Sequence, residues 1–166
     1  MSATADRAQL PGLHLPVTCM ADVAVCQSKV RAFAAALGFN LRAQWELAIA
    51  VSEAATNMLK YAGTGTMTIR SVTSEVVGLA FEAVDQGRGM GDVQAAERDG
   101  ISEGRWVSVL GDAPDRNGLG LGLGAIRRMV DSLTIESTPR GTRLCGTRWL
   151  QPNPASSGVH KVGTRT

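Results

Sequence analysis

The chain has 166 residues, 44% apolar and 19% charged, which suits one soluble domain of ordinary size. Its formal charge is only +2, and the body from 17 to 150 balances 14 basic against 14 acidic residues, so a nucleic-acid surface is not expected. No apolar run approaches the roughly 18–20 residues of a membrane span, and aromatic residues make up only 4%, leaving Ala, Val, Leu and Ile to build the core.

Residues 1–12 are small and polar and read as a loose N-terminus. Leu13–Thr18 alternates apolar and polar positions and predicts a strand, with Pro16 placing it at a sheet edge. Thr18 or Asp22 then caps a helix running to about Leu37, with Gly38 just past its end. Asn40 caps a second, longer helix to about Ala62, stopped by Gly63. From Thr66 to Val84 two β-rich runs flank Ser74-Glu75 and predict a hairpin. Leu123–Asp131 reads as a helix. Leu133–Thr138 and Arg143–Leu150 form a second hairpin around Pro139-Arg140-Gly141. Residues 151–166, rich in Pro, Ser, Gly and Thr, read as a disordered tail.

The resulting order is β, α, α, β, β, loop, α, β, β. Strands that arrive in hairpin pairs, with helices between the groups, indicate an α+β fold. Its expected form is a two-layer sandwich of a mostly antiparallel sheet with helices on one face. The domain is expected to span 13–150.

Cys19, Cys26 and Cys145 are odd in number, with no C-x-x-C pair, and read as buried free thiols in a reducing cytosol. The N-terminus has no basic stretch followed by an apolar one, so no signal peptide is expected and a cytoplasmic location is. Trp45, Trp106 and Trp149 are expected in core or lid packing, with a partner surface as the alternative.

On a helical wheel of the second helix, Leu47, Val51, Ala54, Met58 and Tyr61 form one apolar stripe, the expected core face. Glu53 and Asn57, spaced i,i+4, lie side by side off that stripe, and Lys60 extends the row. Such a row is either a solvated helix face or a functional one. In the functional reading Asn57 offers an oxygen to a cation, Glu53 accepts a proton and Lys60 meets phosphate.

Glycine is the compositional outlier. Of 19 glycines, ten fall between 87 and 124. Asp85-Gln86-Gly87-Arg88-Gly89 follows the VVGLAFEAV strand directly. An acid at a strand end before G-x-G permits a tight turn where backbone meets a flat ligand, and the carboxylate can accept from an exocyclic amine. An ordinary strand-terminating turn has the same composition. Asn117-Gly118-Leu119-Gly120-Leu121-Gly122-Leu123-Gly124 then enters the helix AIRRMV, where free backbone N–H groups and the helix dipole suit an anion. No G-x-x-x-x-G-K-[ST] occurs. Gly120-x-Gly122-x-x-Ala125 fits a loose dinucleotide fingerprint but lacks the preceding strand.

The chain-order set Ser52-Glu53-Ala54-Ala55-Thr56-Asn57, Tyr61-Ala62-Gly63, Asp85-Gln86-Gly87-Arg88-Gly89, Gly118-Leu119-Gly120, Gly141-Thr142 and Arg148-Trp149-Leu150 resembles the GHKL ATPases, whose nucleotide site is the Bergerat fold. Within that group it is most similar to the anti-sigma-factor serine kinases of the RsbT switch-kinase type. The resemblance covers roughly 13 to 150. It implies an ATP- and Mg²⁺-dependent protein serine/threonine kinase acting on a STAS-domain antagonist in a partner-switching stress pathway. A PP2C-type phosphatase or a sigma factor is a possible further partner, and neither nucleic acid nor membrane is implied. An RsbW-like anti-sigma factor and a non-catalytic nucleotide-dependent module are the alternatives.

Carried over by position, the resemblance makes Glu53 the base orienting the attacking hydroxyl and Asn57 the Mg²⁺ ligand. It places Lys60 at the phosphates and Asp85 on the adenine amino group, helped by Gly89 and, through water, by Thr142. Gly118, Gly120 and Gly122 then line the triphosphate, and 101–117 is the lid; Arg105 and Arg116 read as solvated loop charges, with contact to the γ-phosphate as the alternative. Proteins of this type tend to carry Pro where Arg88 stands, and their lid is shorter.

Overall fold

The computed structural model describes residues 10–89, 101–102, 105–106 and 122–151. The chain begins with β1 (Leu13–Val17), followed by α1 (Met20–Leu37) and α2 (Leu41–Ala62). The hairpin β2 (Gly65–Thr73) and β3 (Val77–Asp85) comes next. Two short strands, β4 (Ile101–Ser102) and β5 (Arg105–Trp106), pair antiparallel. Then come α3 (Gly122–Met129) and the hairpin β6 (Ser132–Thr138) and β7 (Gly141–Trp149). The main sheet has five antiparallel strands in the order β1-β2-β3-β7-β6. This is the expected α+β arrangement. The β4–β5 pair falls within the stretch expected to be a lid and was not foreseen.

Alternation along the strands separates two faces. On β3, Leu79, Phe81 and Ala83 are buried and share a face with Asp85, while Glu82 and Val84 lie on the other. β6 alternates exposed and half-buried positions throughout. The covered face meets the helices, and α2 lies at the centre of that layer, touching α1, α3 and β3. The open face carries Glu82, Glu136 and Arg143. The Arg143 guanidinium pairs with Glu82, which raises its already high pKa, and approaches Glu136 at 4.0 Å. Neighbouring Cys145 is half-buried, and desolvation first, then the Glu82 carboxylate, hold its thiol protonated.

The termini of the first two helices follow local chemistry. Gly38 adopts φ 96° and its N–H returns to the α1 carbonyls, and the Asn40 side chain accepts from Ala43 N at 2.9 Å. Neither Thr18 nor Asp22 is the cap residue of α1; Cys19 is, and Asp22 sits in the first turn. Its Oδ2 accepts from Thr18 N at 2.8 Å, Thr18 Oγ1 at 2.7 Å and Cys19 N at 3.1 Å. These bonds, the Thr18 backbone one first, lower its pKa. A carboxylate with a depressed folded pKa stabilises the fold above the unfolded value of about 4 and loses that contribution as pH falls through the lower folded value. Asp22→Ala is therefore expected to lower the urea midpoint at about pH 7, with the gap to wild type closing near pH 2. A gap that persists at low pH would contradict this origin.

The core departs from two compositional expectations. All three phenylalanines are buried, Phe33, Phe39 and Phe81, so the few aromatics are concentrated inside. Only one cysteine is fully buried: Cys26, whose thiol is pushed up by desolvation, whereas Cys19 is exposed. Trp45 is also a correction, because it is 46% exposed, with the Arg31 guanidinium stacked 3.7 Å above its ring. Trp149 is half-buried against Gly78 of β3. Of Trp106 only the backbone position is described.

Arg148 of β7 joins three elements. Its guanidinium donates to Met129 O at the end of α3, at 3.0 Å, and to Glu46 Oε2 of α2, at 2.7 Å. Both charged side chains are mostly covered, which makes this pair a stronger tie than the exposed Arg42–Glu46 pair on the same helix.

No helix among the described residues is long and apolar enough to cross a membrane.

Candidate functional site

The site forms where the end of β3, the start of β7 and the last turns of α2 converge. Its floor follows from strand alternation: Ala83 and Asp85 share one face of β3, and Thr142 and Leu144 share one face of β7. Its wall follows from helical spacing, since Ala54, Asn57, Met58 and Tyr61 are three to four residues apart. Together these eight residues line a shallow recess that opens to solvent and encloses room for about one water molecule. The lining is apolar except for Asn57, Tyr61, Asp85 and Thr142, the pattern of a site that binds a hydrophobic plane and orients it with few polar groups.

Asp85 is held by backbone. Its Oδ1 accepts from Gly87 N at 2.9 Å and from Thr142 N at 3.2 Å. Among the described residues both bonds fall on Oδ1, so Oδ2 keeps its acceptor capacity for a donor entering the recess. Thr142 is itself buried, at 8% exposure, and its Oγ1 lies 3.3 Å from Ser137 Oγ across the β6–β7 ladder.

The two glycines of the turn have a role beyond approach to a ligand. A Cβ on Gly87 would stand 2.6 Å from Ala62 Cβ and 2.7 Å from Tyr61 O, so the turn closes directly onto the end of α2. Gly89 has φ +70°, and a Cβ there would stand 2.1 Å from Thr138 O. The turn is therefore wedged between α2 and the β6–β7 hairpin, and both neighbours demand a missing side chain. Gly89→Ala adds a left-handed-region penalty to a backbone clash and is expected to cost at least about 2 kcal/mol. Urea denaturation reads this directly, and an unshifted midpoint would show that the turn can move away freely.

The expected polar row on α2 divides. Asn57 is half-buried and lines the recess. Glu53 is buried at 6% exposure, one turn earlier on the same helix, and does not line it. The solvated-face alternative therefore fails for Glu53. α2 is covered by the sheet and by two helices, so its buried surface is wider than one stripe and includes Ala48, Ala50 and Ala55. Lys60 is exposed, its Nζ 5.3 Å from the Tyr61 ring centroid. Gly122 opens α3 with φ 55°, inside the helix rather than in a preceding loop. Gly118, Gly120 and Arg116 lie outside the described residues, as does the side chain of Arg105. Among the described residues no group of three His, Cys, Asp or Glu side chains is placed to hold a metal.

Sequence reasoning put Met58 and Tyr61 in the core stripe and did not assign Ala54, Ala83 or Leu144 to a site. Their signal was available: each stands at same-face spacing from Asn57, Asp85 or Thr142. Ser137 carried no motif at all.

Residues 17–147 match the histidine kinase-like ATPase domain family. The chain belongs to that family. Its GHKL-type ATPase domain is 31% identical, over 132 residues, to the serine/threonine-protein kinase RsbT of Bacillus subtilis (strain 168), covering 78% of this chain and 90% of that one. The fold also matches a crystal structure of RsbU and RsbW domains from Mycobacterium tuberculosis, with TM-score 0.56 and 16% identity. That likeness covers 86% of this chain and 34% of the other, and supports the fold alone.

Proposed function

We propose that this chain is an ATP-dependent protein serine/threonine kinase of a partner-switching system, and that it phosphorylates a hydroxyl on a STAS-domain antagonist. The observation that carries the reading is the Asp85 carboxylate, oriented by two backbone N–H groups at the floor of an apolar recess that Asn57 also lines. The 31% identity to RsbT supports the kinase assignment.

In this reading the adenine ring lies against Ala54, Met58, Ala83 and Leu144, and its amino group donates to Asp85 Oδ2. Asn57 offers its amide oxygen towards the phosphates. A lone amide oxygen suits Mg²⁺, which takes oxygen ligands and is commonly shared with nucleotide phosphates. When bound, Mg²⁺ neutralises charge on the transferred group. Glu53 accepts the proton of the attacking Ser or Thr hydroxyl. The new bond joins that oxygen to the γ-phosphorus, and the bond to the β–γ bridging oxygen breaks with its electron pair leaving on ADP. Lys60, Gly118, Gly120 and Gly122 contribute charge and backbone donors to the phosphates. The domain of this activity is 13–150, and its place is the cytoplasm.

The deciding experiment incubates the full chain with Mg-ATP and the cognate STAS protein, with phosphosite mapping. A phosphoserine or phosphothreonine on the STAS protein is expected. Binding of ATP without transfer would leave a nucleotide-dependent interaction module, and co-purification with a sigma factor would favour an RsbW-like role.

A further inference from the structure

Ser137 is not among the residues that line the recess. It faces Thr142 across the β6–β7 ladder, and the two hydroxyl oxygens are 3.3 Å apart. Thr142 lines the recess, and its N–H is already committed to Asp85 Oδ1. Thr142 is thus tied to Asp85 through its backbone and is one of the polar residues lining the recess. A hydroxyl has one proton, so the direction of the Ser137–Thr142 bond decides what Thr142 presents. If Ser137 donates to Thr142 Oγ1, the Thr142 proton is left to donate into the recess. If Thr142 donates to Ser137, only lone pairs face the ligand.

The difference matters for a purine. Adenine offers an amino donor at position 6 beside a ring-nitrogen acceptor at position 1. Guanine offers a carbonyl acceptor beside an N–H donor. Asp85 as acceptor and Thr142 as direct donor complement adenine at both positions. Ser137 also touches the turn that carries Asp85: a Cβ on Gly89 would stand 2.9 Å from its Oγ.

We propose that Ser137 is a positioning residue that sets the adenine preference of the site by orienting the Thr142 hydroxyl. This rests on reading the recess as the base site. Without Ser137, the Thr142 hydroxyl turns freely and presents donor or acceptor alike.

Isothermal titration of the full chain with non-hydrolysable ATP and GTP analogues tests this. Ser137→Ala is expected to narrow the ATP-over-GTP preference by about twofold to tenfold, the range of one neutral hydrogen bond. Ser137→Thr, which keeps the hydroxyl, restores it. In a Thr142→Val background, adding Ser137→Ala changes the preference no further, because the group Ser137 acts through is gone. Equal weakening of both analogues by Ser137→Ala, or an undiminished effect in the Thr142→Val background, overturns the role of Ser137 while leaving the adenine site standing. A wild-type chain that binds neither analogue overturns the adenine reading and this inference with it.

Discussion

Asp85→Ala is expected to weaken ATP binding by about 10-fold to 100-fold, and to lower stability as well. Two separate losses combine. One is a charge-assisted hydrogen bond from the base amino group, in a recess with few other polar contacts, worth about 1.5–3 kcal/mol. The other is structural, because Gly87 N and Thr142 N lose their shared acceptor. A covered N–H without a partner costs about 1–3 kcal/mol. Asp85→Asn separates them. Its amide oxygen can still receive both N–H groups, while its NH₂ meets the base amino group donor to donor. The Asn variant should therefore keep most of the denaturation midpoint and still lose the nucleotide. Equal ATP affinity in wild type and Asp85→Asn would remove Asp85 from the base site.

Glu53→Gln is the second large effect. A positioned general base contributes about 10²–10⁴-fold to proton-transfer chemistry, so phosphoryl transfer should fall by about 100-fold or more. Nucleotide affinity should change little, because Glu53 does not line the recess. Gln matches the volume of this buried side chain, so the variant avoids the cavity that Ala would leave. Transfer at the wild-type rate, with ATP binding intact, would dismiss Glu53 as the base. Together the two variants divide the site: one loses binding, the other loses chemistry.

The β-branched runs either side of Ser74-Glu75 and of Pro139-Arg140 were legible as hairpins because local alternation and turn chemistry suffice to specify them. The caps at Asn40, Gly38 and Gly63 were legible for the same reason. The β4–β5 pair escaped notice because two residues carry no period. Local sequence offers both Thr18 and Asp22 as caps, and the four-residue reach of Asp22 back to Thr18 belongs to the folded chain.

The amino-acid sequence by itself determined the order of the main-sheet strands and the helices and the chemistry available at Glu53, Asn57 and Asp85, since helix caps, turns and motif spacing act over a few residues. Only the tertiary structure decided which of those groups share a space. The Thr142 N–H reaches Asp85 across 57 positions of chain, and Glu53 is buried because α2 is enclosed by two helices and a sheet at once. The glycines at 87 and 89 belong to both levels. Composition marked a turn there, and close packing against Ala62 and Thr138 explains why no side chain fits. Burial and cross-strand contact depend on residues far apart in the chain, and no local pattern encodes them.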